Sequence, residues 1–334
     1  MSVRDVIIIG AGPSGLSAAI AAKQRNLDYQ VLEQGVLVNS IYKFPPQMVF
    51  FTTPELLEIG GLPFVSPYDK PTRAEALKYY RKVVDTYDLQ IAYEETVLSV
   101  EREDDVFAVA TRSGRGVKRV RHARHVIMAI GYYDHPVLIG VPGEDLPHVR
   151  HYYGEPHPHY RQRVVIVGGG NSAAESALEM FRAGAHVTLV HRAPTLKSTI
   201  KYWVRPDIEN RMKEGSVVSR LGFIVKEIRP TSIVLARCAD AAEGFSPSGE
   251  EEEIPADAVY LLTGYRADAA LLRGAGVVLN EREAPVHDAA TFETNVPGLF
   301  VAGGAIAGVD TGTIFIENGR FHGKTIIEVI AQRG

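Results

Sequence analysis

The sequence contains the same glycine motif twice, each time between a short apolar strand and a predicted helix. The first copy is Gly10-Ala11-Gly12-Pro13-Ser14-Gly15 and the second is Gly168-Gly169-Gly170-Asn171-Ser172-Ala173. The surrounding stretches, 6–34 and 164–192, align over 29 positions without a gap. In such a βαβ unit the glycines permit a tight turn and a close approach of backbone N–H groups to a pyrophosphate, whose charge the helix N-terminus favours. We therefore expect two dinucleotide-binding units that pass electrons between their ligands.

The residue 23 positions after the first glycine separates the two units by charge. In the first unit it is Glu33, followed by Gln34, and a carboxylate there accepts hydrogen bonds from ribose hydroxyls of FAD or NAD. In the second unit it is His191, followed by Arg192 and soon by Lys197. This cationic cluster favours the 2′-phosphate of NADPH, although a solvated strand end is the alternative. The order predicts FAD in the first unit and NADPH in the second.

Composition excludes several classes of partner. The 334 residues allow two or three domains, and a net charge of −4 gives no general attraction to nucleic acid or to an anionic membrane. No apolar run approaches the ~20 residues that span a bilayer, and the chain enters its first strand without a signal sequence. We therefore predict no nucleic-acid partner, no membrane association and a cytoplasmic location.

The chain has one cysteine, Cys238. An intramolecular redox disulfide needs two thiols, so a dithiol relay within one chain is excluded. Cys238 follows the strand-like run 232–237 and precedes an acidic loop that ends in 250–253. We expect an ordinary, partly buried cysteine.

The remaining segments of the first unit predict a loop, a helix and a meander. The proline- and aromatic-rich stretch 41–51 is a loop that covers a ligand or places its aromatic rings in the core. A helix is predicted over 73–86 and a strand meander over 91–126. A basic tract on the turn of the meander is expected to be a solvated hairpin, with an acidic partner protein as the alternative. It consists of Arg112, Arg115, Lys118, Arg119, Arg121 and Arg124.

Two buried strands, 126–130 and 258–262, each end close to a glycine and mark where the chain would pass between domains. We predict an α/β protein with two Rossmann-like domains, the second inserted in the first. The FAD-binding domain comprises 1–134 and 257–334, and the NADPH-binding domain comprises 135–256. The closing segment brings a glycine pair, and a helix that begins near Thr313 would direct its positive end at the flavin ring.

The whole chain resembles flavoproteins of the thioredoxin-reductase type, and within these the bacillithiol disulfide reductase family. The tracts that carry the resemblance are Gly131–Pro136, His151–Pro156, Gly168–Ala173, Lys201–Arg211 and Ile314–Gly323. The resemblance implies a homo-oligomeric FAD enzyme that uses NADPH to reduce the disulfide of a low-molecular-weight thiol. The acceptor would be that small molecule or a small redox protein.

The same resemblance draws attention to cysteine positions. The CxxC pair of thioredoxin reductases would fall on His151 and Gly154, so both thiols are missing here. The bacillithiol family also lacks that pair but typically has a cysteine where this chain has Ser14. A serine hydroxyl is not ionised near neutrality and does not attack sulfur usefully without a base. Ser14 is expected to cap the helix or to donate a hydrogen bond to a phosphate.

The predicted site residues form two cofactor sets and one group of possible proton donors, with no metal site and no single catalytic assignment. The FAD set is Gly10, Gly12, Pro13, Ser14, Gly15, Glu33, Gln34, Ala129, Gly131, Gly303, Gly304, Thr313 and Ile314. The NADPH set is Gly168, Gly170, Asn171, Ser172, Ala173, His191, Arg192 and Lys197. The possible proton donors at the mouth of the acceptor site are His135, His151, Tyr152, Tyr153, Glu155, His157 and His159.

Three other functions fit the same motifs. The first is an electron transferase that reduces ferredoxin or flavodoxin and would use the basic tract for docking. The second is a flavin monooxygenase, which the first glycine motif also fits. The third is a nucleotide-sensing protein without enzymatic activity. The sequence leaves the acceptor and the oligomeric state open.

Overall fold

The computed structural model describes residues 3–238 and 247–333. The chain divides into two compact units. Unit 1 consists of Met1–His135 and Tyr265–Gly334, and unit 2 of Pro136–Gly264. Each unit contains one glycine motif, which follows a central strand of its main sheet.

The first stretch of unit 1 alternates strands with helices and then enters an antiparallel meander. Its central strand is apolar from Val6 to Ile9, and Val6, Ile7 and Ile8 are fully buried, as expected for a segment covered on both faces. The elements are β1 (Val3–Ile9), α1 (Pro13–Gln24), β2 (Tyr29–Leu32), α2 (Asn39–Lys43), a 3-10 turn (Pro54–Leu57), α3 (Arg73–Tyr87), β3 (Ile91–Ala92), β4 (Glu95–Glu103), β5 (Val106–Ser113) and β6 (Lys118–Met128).

Unit 2 repeats the βαβ pattern and adds a small antiparallel sheet. Its elements are β7 (Val149–Arg150), a 3-10 turn (His157–His159), β8 (Arg163–Val167), α4 (Asn171–Arg182), β9 (His186–His191), α5 (Arg205–Lys213), β10 (Val217–Leu221), β11 (Phe223–Arg229), β12 (Ser232–Cys238), β13 (Pro247–Pro255) and β14 (Ala258–Leu261).

The last stretch of the chain belongs to unit 1 again. Its elements are α6 (Ala269–Gly274), β15 (Leu299–Val301), a 3-10 turn (Gly303–Ala307), α7 (Ile316–Gly319) and α8 (His322–Arg333). None of the helices in 3–238 and 247–333 has the length and apolar character of a membrane span.

The sheet of unit 1 has the order β3-β2-β1-β6-β5-β4, and β15 pairs with β6 outside this path. One edge of strand β6 pairs with β1, and its other edge is shared by two partners along its length. Its first part, Lys118–Ala123, is antiparallel to β5, and its last part, Val126–Met128, is parallel to β15. Helix α3 begins with a capping box formed by Thr72 and Glu75, and it matches the predicted helix to within one residue.

The main sheet of unit 2 is parallel with the order β10-β9-β8-β14-β7. Strand β14 corrects the predicted domain boundary. It pairs with β8 and β7, so the chain returns to unit 1 after Gly264 rather than at residue 257. The sequence did not indicate which unit β14 belongs to, because its partner β8 lies almost one hundred positions earlier in the sequence.

Two other sequence predictions are changed by strand pairing. The short strand β3, predicted as part of the meander, pairs parallel with β2 instead. The predicted acidic loop is in its described part the strand β13, antiparallel to β12. Ion pairs with Arg220, Lys226 and Arg229 balance the charge of its glutamates, which explains how an acidic segment joins a sheet. Residues 239–246 lie outside the described part of the chain.

Candidate dinucleotide sites in the two units

The glycine motif of unit 1 lies in a cleft with a cavity volume of about 350 Å³. Gly10 has φ +108°, and a Cβ atom there would lie 2.3 Å from the Ala129 carbonyl oxygen. A Cβ atom at Gly15 would lie 2.0 Å from the Gly10 carbonyl oxygen, whereas one at Gly12 would meet nothing within 4 Å. The first and third glycines are therefore required by packing, and the second leaves open space where a pyrophosphate would approach.

A buried carboxylate lies at the end of β2 in the same cleft. Glu33 is 4% exposed, and its two oxygens accept hydrogen bonds from the backbone N–H groups of Ala11 and Gly35, each at 2.8 Å. Burial raises the pKa of Glu33, while these two hydrogen bonds act against that rise. Each carboxylate oxygen has a further lone pair, so Glu33 can also accept hydrogen bonds from a pair of ribose hydroxyls.

Asp134 organises the side chains next to Glu33. Gln34 donates to one of its oxygens at 2.8 Å, and Asn39 donates to the other at 3.2 Å. Lys43 forms an ion pair with the same carboxylate, whose side chain is 11% exposed. The amide nitrogen of Gln34 thus donates to a group within the protein, and no local sequence pattern indicates Asp134 as its acceptor.

The hydroxyl of Ser14 has a different role from the two predicted for it. Helix α1 has Gly12 as its N-cap, without a side-chain cap. Ser14 Oγ donates a hydrogen bond to the Gly319 carbonyl oxygen at 3.0 Å. A Cβ atom at Gly303 would lie 2.3 Å from the same Oγ. Ser14 therefore joins α1 to the last stretch of the chain, and its proton is not directed at a phosphate.

The helix predicted to begin near Thr313 begins at Ile316 and has four residues. The side chain of Asn318 explains the delay, because it accepts from Phe315 N at 2.9 Å and donates to the Thr313 carbonyl oxygen at 3.0 Å. Thr313 does not line the cleft, and its Oγ1 donates to the Asp310 carbonyl oxygen. A single helical turn carries little of the dipole that the predicted stabilisation of a reduced flavin needs.

The cleft of unit 1 is lined by eleven of the thirteen residues predicted for FAD, the exceptions being Gly15 and Thr313. The sequence missed residues whose place depends on tertiary packing, chiefly the start of β4 and of α6 and the segment after Gly131. Their position beside the glycine motif follows from strand order, for which a single sequence offers no direct signal. They include Asn39, Ser40, Glu95, Thr96, Val97, Tyr132, Tyr133, Asp268, Leu271, Phe315 and Ile316.

The glycine motif of unit 2 follows the same design. A Cβ atom at Gly168 would lie 2.5 Å from the Leu262 carbonyl oxygen and 3.0 Å from Ala173 Cβ, whereas Gly170 has nothing within 4 Å. A Cβ atom at Gly169 would lie 2.4 Å from the ring of His191. The imidazole therefore covers the middle of the turn, and only the second glycine position of the motif is open to a ligand.

Burial changes the predicted charge of this site. His191 is 7% exposed, and burial lowers its pKa, assisted by the nearby cations Lys197 and Arg192. The lowered pKa favours the neutral ring, so the first member of the predicted cationic pair adds little positive charge near pH 7. The positive charge comes from Arg192 and Lys197, which are exposed. Lys197 stays beside the turn because its backbone N–H donates to the Gly169 carbonyl oxygen at 3.0 Å.

The side chain of Asn171 is also used within the protein. Its Oδ1 accepts from the backbone N–H of Lys201 at 2.8 Å, and its Nδ2 donates to the Thr199 carbonyl oxygen at 3.3 Å. Asn171 thus fixes the loop that follows the cationic residues, and its backbone alone can face a ligand. Ser172, in the first turn of α4, is exposed.

The possible proton donors do not form one group. His159 is 3% exposed and is held through both ring nitrogens, by Gln162 Oε1 at 2.8 Å and by the Tyr260 hydroxyl at 2.7 Å. Tyr153 donates to Glu179 at 2.7 Å, and burial raises the pKa of its hydroxyl. Both residues therefore belong to the core of unit 2 rather than to the mouth of a site.

The other candidates differ in unit and in exposure. His135 is the one in unit 1, where it lines the cleft with its Nε2 3.7 Å from Asp268. It follows Asp134 and so lies near the Glu33 side of the cleft. In unit 2, His151 is mostly buried with its Nε2 3.8 Å from Glu144. Tyr152 is half-buried, while Glu155 and His157 are exposed.

The basic tract is largely part of the strand β6 rather than of a turn. Arg119 and Arg121 form ion pairs with the buried Glu95 at 3.2 and 2.8 Å, and Arg124 pairs with Asp5 at 2.9 Å. Half of the six predicted docking residues therefore have partners within unit 1.

Cys238 is half-buried at the end of β12 in unit 2. Burial raises the pKa of its thiol, and nearby Arg192 opposes that rise. The prediction of an ordinary, partly buried cysteine is confirmed. Because the sequence has no second cysteine, unit 1 contains no thiol.

Comparison with known proteins agrees with this architecture. Residues 7–303 match the family described as pyridine nucleotide-disulphide oxidoreductase. The chain is 41% identical to bacilliredoxin reductase Bdr of Bacillus subtilis (strain 168), covering 100% of this chain and 99% of the relative. It superposes with a TM-score of 0.94 on the structure of bacillithiol disulfide reductase Bdr (YpdA) from Bacillus cereus, at 37% identity and full coverage of both chains.

A more distant structure supports the fold alone. Thioredoxin reductase from T. acidophilum gives a TM-score of 0.75 at 22% identity, covering 100% of this chain and 99% of the other. The predicted fold class, two Rossmann-like units of the thioredoxin-reductase type, is therefore confirmed. The chain is an FAD- and NADPH-dependent oxidoreductase that belongs to the pyridine nucleotide-disulphide oxidoreductase family and, within it, to the bacillithiol disulfide reductases.

Proposed function

We propose that this protein uses NADPH to reduce bacillithiol disulfide, with FAD in the cleft of unit 1 and NADPH on the glycine turn of unit 2. The observation that carries the proposal is the pair of equivalent glycine turns with opposite charge beside them. Glu33 in unit 1 is equivalent to His191 in unit 2. The carboxylate of Glu33 is thus replaced in unit 2 by the neighbouring cations Arg192 and Lys197. The printed names of the most similar proteins support the choice of acceptor.

In unit 1 the open side of Gly12 and the N-terminus of α1 would receive the pyrophosphate of FAD. Glu33 would accept hydrogen bonds from the ribose hydroxyls of the adenosine. Gly303, Gly304 and Ile314 would border the cofactor along the wall that the last stretch of the chain provides. Bound FAD supplies a carrier that accepts a hydride from NADPH and delivers two electrons.

In unit 2 the open side of Gly170 and the N-terminus of α4 would receive the pyrophosphate of NADPH. Arg192 and Lys197 would bind the 2′-phosphate, Arg192 through its planar fork of donors and Lys197 as a point charge. The neutral His191 would pack below the turn and keep its shape. A buried cation there would repel the two neighbouring cations, which agrees with the lowered pKa of His191.

Reduction of the acceptor would not pass through a protein thiol in unit 1. A disulfide that takes up two electrons and two protons yields two thiols. The hydride of NADPH, together with one proton from solution, supplies these two electrons and two protons. Ser14 cannot form a mixed disulfide, and its hydroxyl is held by the Gly319 carbonyl oxygen. The residues of the cleft would therefore orient the acceptor and exclude water, without covalent participation by position 14.

Two finer points, the oligomeric state and the location, are part of the proposal. We propose that the protein works as a homodimer in the cytoplasm, as the resemblance implies. A single symmetric species at twice the mass of one chain, measured by light scattering after size exclusion, is the expected result. A monomer that reduces bacillithiol disulfide would remove the homodimer from the proposal.

An electron transferase is the second candidate, since unit 1 offers no thiol to a disulfide. The basic tract offers less positive charge for docking than the sequence predicts, because Arg119, Arg121 and Arg124 form ion pairs within the unit. The two functions are separated by anaerobic NADPH oxidation with the FAD-loaded protein and one acceptor at a time. We expect turnover with bacillithiol disulfide and much less with glutathione disulfide or ferredoxin. Rapid reduction of ferredoxin alone would favour the electron transferase.

A further inference from the structure

The first residue of α8, His322, is a buried histidine next to the wall of the unit 1 cleft. It is 9% exposed, and its Nδ1 accepts a hydrogen bond from the backbone N–H of Gly303 at 3.1 Å. A ring nitrogen that accepts a hydrogen bond carries no proton. The proton of the neutral imidazole must therefore be on Nε2.

The surroundings of His322 keep the ring neutral. The ring of Phe292 stacks on it with centroids 4.3 Å apart, and His287 also stacks on Phe292, with centroids 6.0 Å apart. Burial lowers the pKa of His322 to about 4, and His287 is the titratable group that acts in the same direction. At neutral pH the imidazole is thus fixed as a hydrogen-bond acceptor towards Gly303.

Gly303 is closely packed against other segments of unit 1. Its φ is +63°, and a Cβ atom on it would lie 2.3 Å from Ser14 Oγ. A Cβ atom at Gly319 would lie 3.2 Å from Gly303 Cα, and one at Gly323 would lie 2.4 Å from Ala18 N. The backbone of Gly303 is therefore packed between α1 and the end of α7, and the buried acceptor for its N–H is His322 at the start of α8.

The neighbouring residue connects this packing to the cleft. Gly303 and Gly304 both line the cavity, and a Cβ atom at Gly304 would lie 2.6 Å from the Tyr132 ring. Any shift of Gly303 moves this wall. A Gly303 N–H without its acceptor would either remain buried and unpaired or turn towards the cleft, and both change the surface that a flavin would contact.

We infer that His322 is a positioning residue for the flavin: its neutral imidazole accepts the Gly303 N–H and thereby fixes the Gly303–Gly304 wall of the cleft. This inference rests on the proposed placement of FAD in unit 1. The residue itself does not touch the cleft, since it is not among the side chains that line it. Its role is carried by one hydrogen bond to the backbone.

Two substitutions distinguish the role of the hydrogen-bond acceptor from that of the space that the ring fills. His322→Leu removes the acceptor and keeps an apolar side chain, whereas His322→Asn places an amide oxygen near the position of Nδ1. His287→Asn is the matched control, because His287 shares the aromatic stack but has its Nδ1 beside the Pro285 carbonyl oxygen.

The measurement is the dissociation constant of FAD, obtained by titrating the flavin-free form of each full-length variant. We expect FAD to bind about tenfold more weakly to H322L, as the loss of a buried hydrogen-bond partner predicts, and to return towards the wild-type value in H322N. H287N should bind FAD normally. Equal binding by wild type and H322L, or equal weakening in H322N and H322L, would overturn the inference.

Nitrogen-15 NMR of the imidazoles in the unsubstituted holoprotein tests the same point on the wild-type ring itself. The His322 signals, assigned from their absence in H322N, should show the Nε2–H tautomer and no titration between pH 8 and pH 5. An Nδ1–H tautomer, or a midpoint near the usual value for histidine, would contradict the inference.

Glu33→Gln distinguishes this inference from the placement of FAD on which it rests. If E33Q weakens FAD binding and H322L does not, the placement stands and the role of His322 is wrong. If neither variant affects FAD binding, the placement itself has failed.

Discussion

The two units present the same glycine turn in different surroundings. In unit 1 the turn lies in a cleft, the charge beside it is the buried carboxylate of Glu33, and the last stretch of the chain forms one wall. In unit 2 the charges beside the turn are the exposed cations Arg192 and Lys197. The backbone device is shared, so the neighbouring side chains decide which ligand is bound. Enclosure suits a cofactor that stays bound, and exposure suits one that must exchange in every cycle.

The third position of the motif offers the strongest way to break this comparison. Gly15→Ala places a Cβ atom 2.0 Å from the Gly10 carbonyl oxygen, whereas unit 2 has Ala173 at the equivalent position. We expect G15A to lose ~3 kcal/mol of stability and most of its FAD. The reciprocal A173G should lose only ~1 kcal/mol, through helix propensity. Urea unfolding and flavin content measure both. Equal costs in the two variants would show that the turns are not packed differently.

The pH dependence of stability tests the buried histidine of unit 1. His322 has a folded pKa of about 4, below the ordinary value of 6.5, so the unfolded state binds more protons between these values. Its contribution is complete above pH 6.5 and is lost as the pH falls towards 4, up to ~3 kcal/mol. Urea unfolding from pH 7 to pH 4 should show this loss in wild type and a smaller one in H322N. The same slope in both would assign the loss to other groups.

The cations of unit 2 should set the preference between the two nicotinamide cofactors. Replacing Arg192 and Lys197 together by alanine removes two charges expected at the 2′-phosphate. We expect KM for NADPH to rise about 100-fold and KM for NADH to change little, in accord with charge-assisted hydrogen bonds. Steady-state kinetics with each cofactor is the measurement. Arg182→Ala removes an exposed arginine that pairs with Asp207 and serves as the control. Equal increases for NADPH and NADH would remove the 2′-phosphate from the explanation.

The smallest expected effect concerns Ser14. Ser14→Ala removes the hydrogen bond to the Gly319 carbonyl oxygen and should cost ~1 kcal/mol of stability. Because the hydroxyl takes no part in the proposed chemistry, kcat with bacillithiol disulfide should remain close to that of wild type. Thermal unfolding and anaerobic turnover test the two statements separately. A large drop in kcat with normal FAD content would show that the hydroxyl participates.

The sequence predicted the features that short segments determine. The two strand-turn-helix units, the helix from Arg73 and the carboxylate at Glu33 follow from local patterns of apolar residues, glycine and charge. Most of the residues predicted for FAD do line the cleft of unit 1. They could be predicted because the glycine motif and the closing segment each contain a recognisable turn.

The sequence could not predict features that depend on distant partners. The neutral state of His191 results from burial over Gly169, which periodicity does not reveal. The hydrogen bond of Ser14 joins residues 305 positions apart. Strand β14 was assigned to the wrong unit because a buried apolar strand does not specify which sheet it completes.

The pairing of β15 with β6 and the close packing of Gly323 on Ala18 have a consequence for synthesis. The sheet of unit 1 and the packing on α1 thus need residues from the last part of the chain. Unit 2, in contrast, is one continuous stretch, 136–264. On the ribosome, all of unit 2 has been made when the closing strand and helix of unit 1 have not yet been translated. We therefore expect the glycine turn of unit 2 to be complete before the cleft of unit 1, so that FAD, placed in that cleft as proposed, would bind after unit 2 has been made.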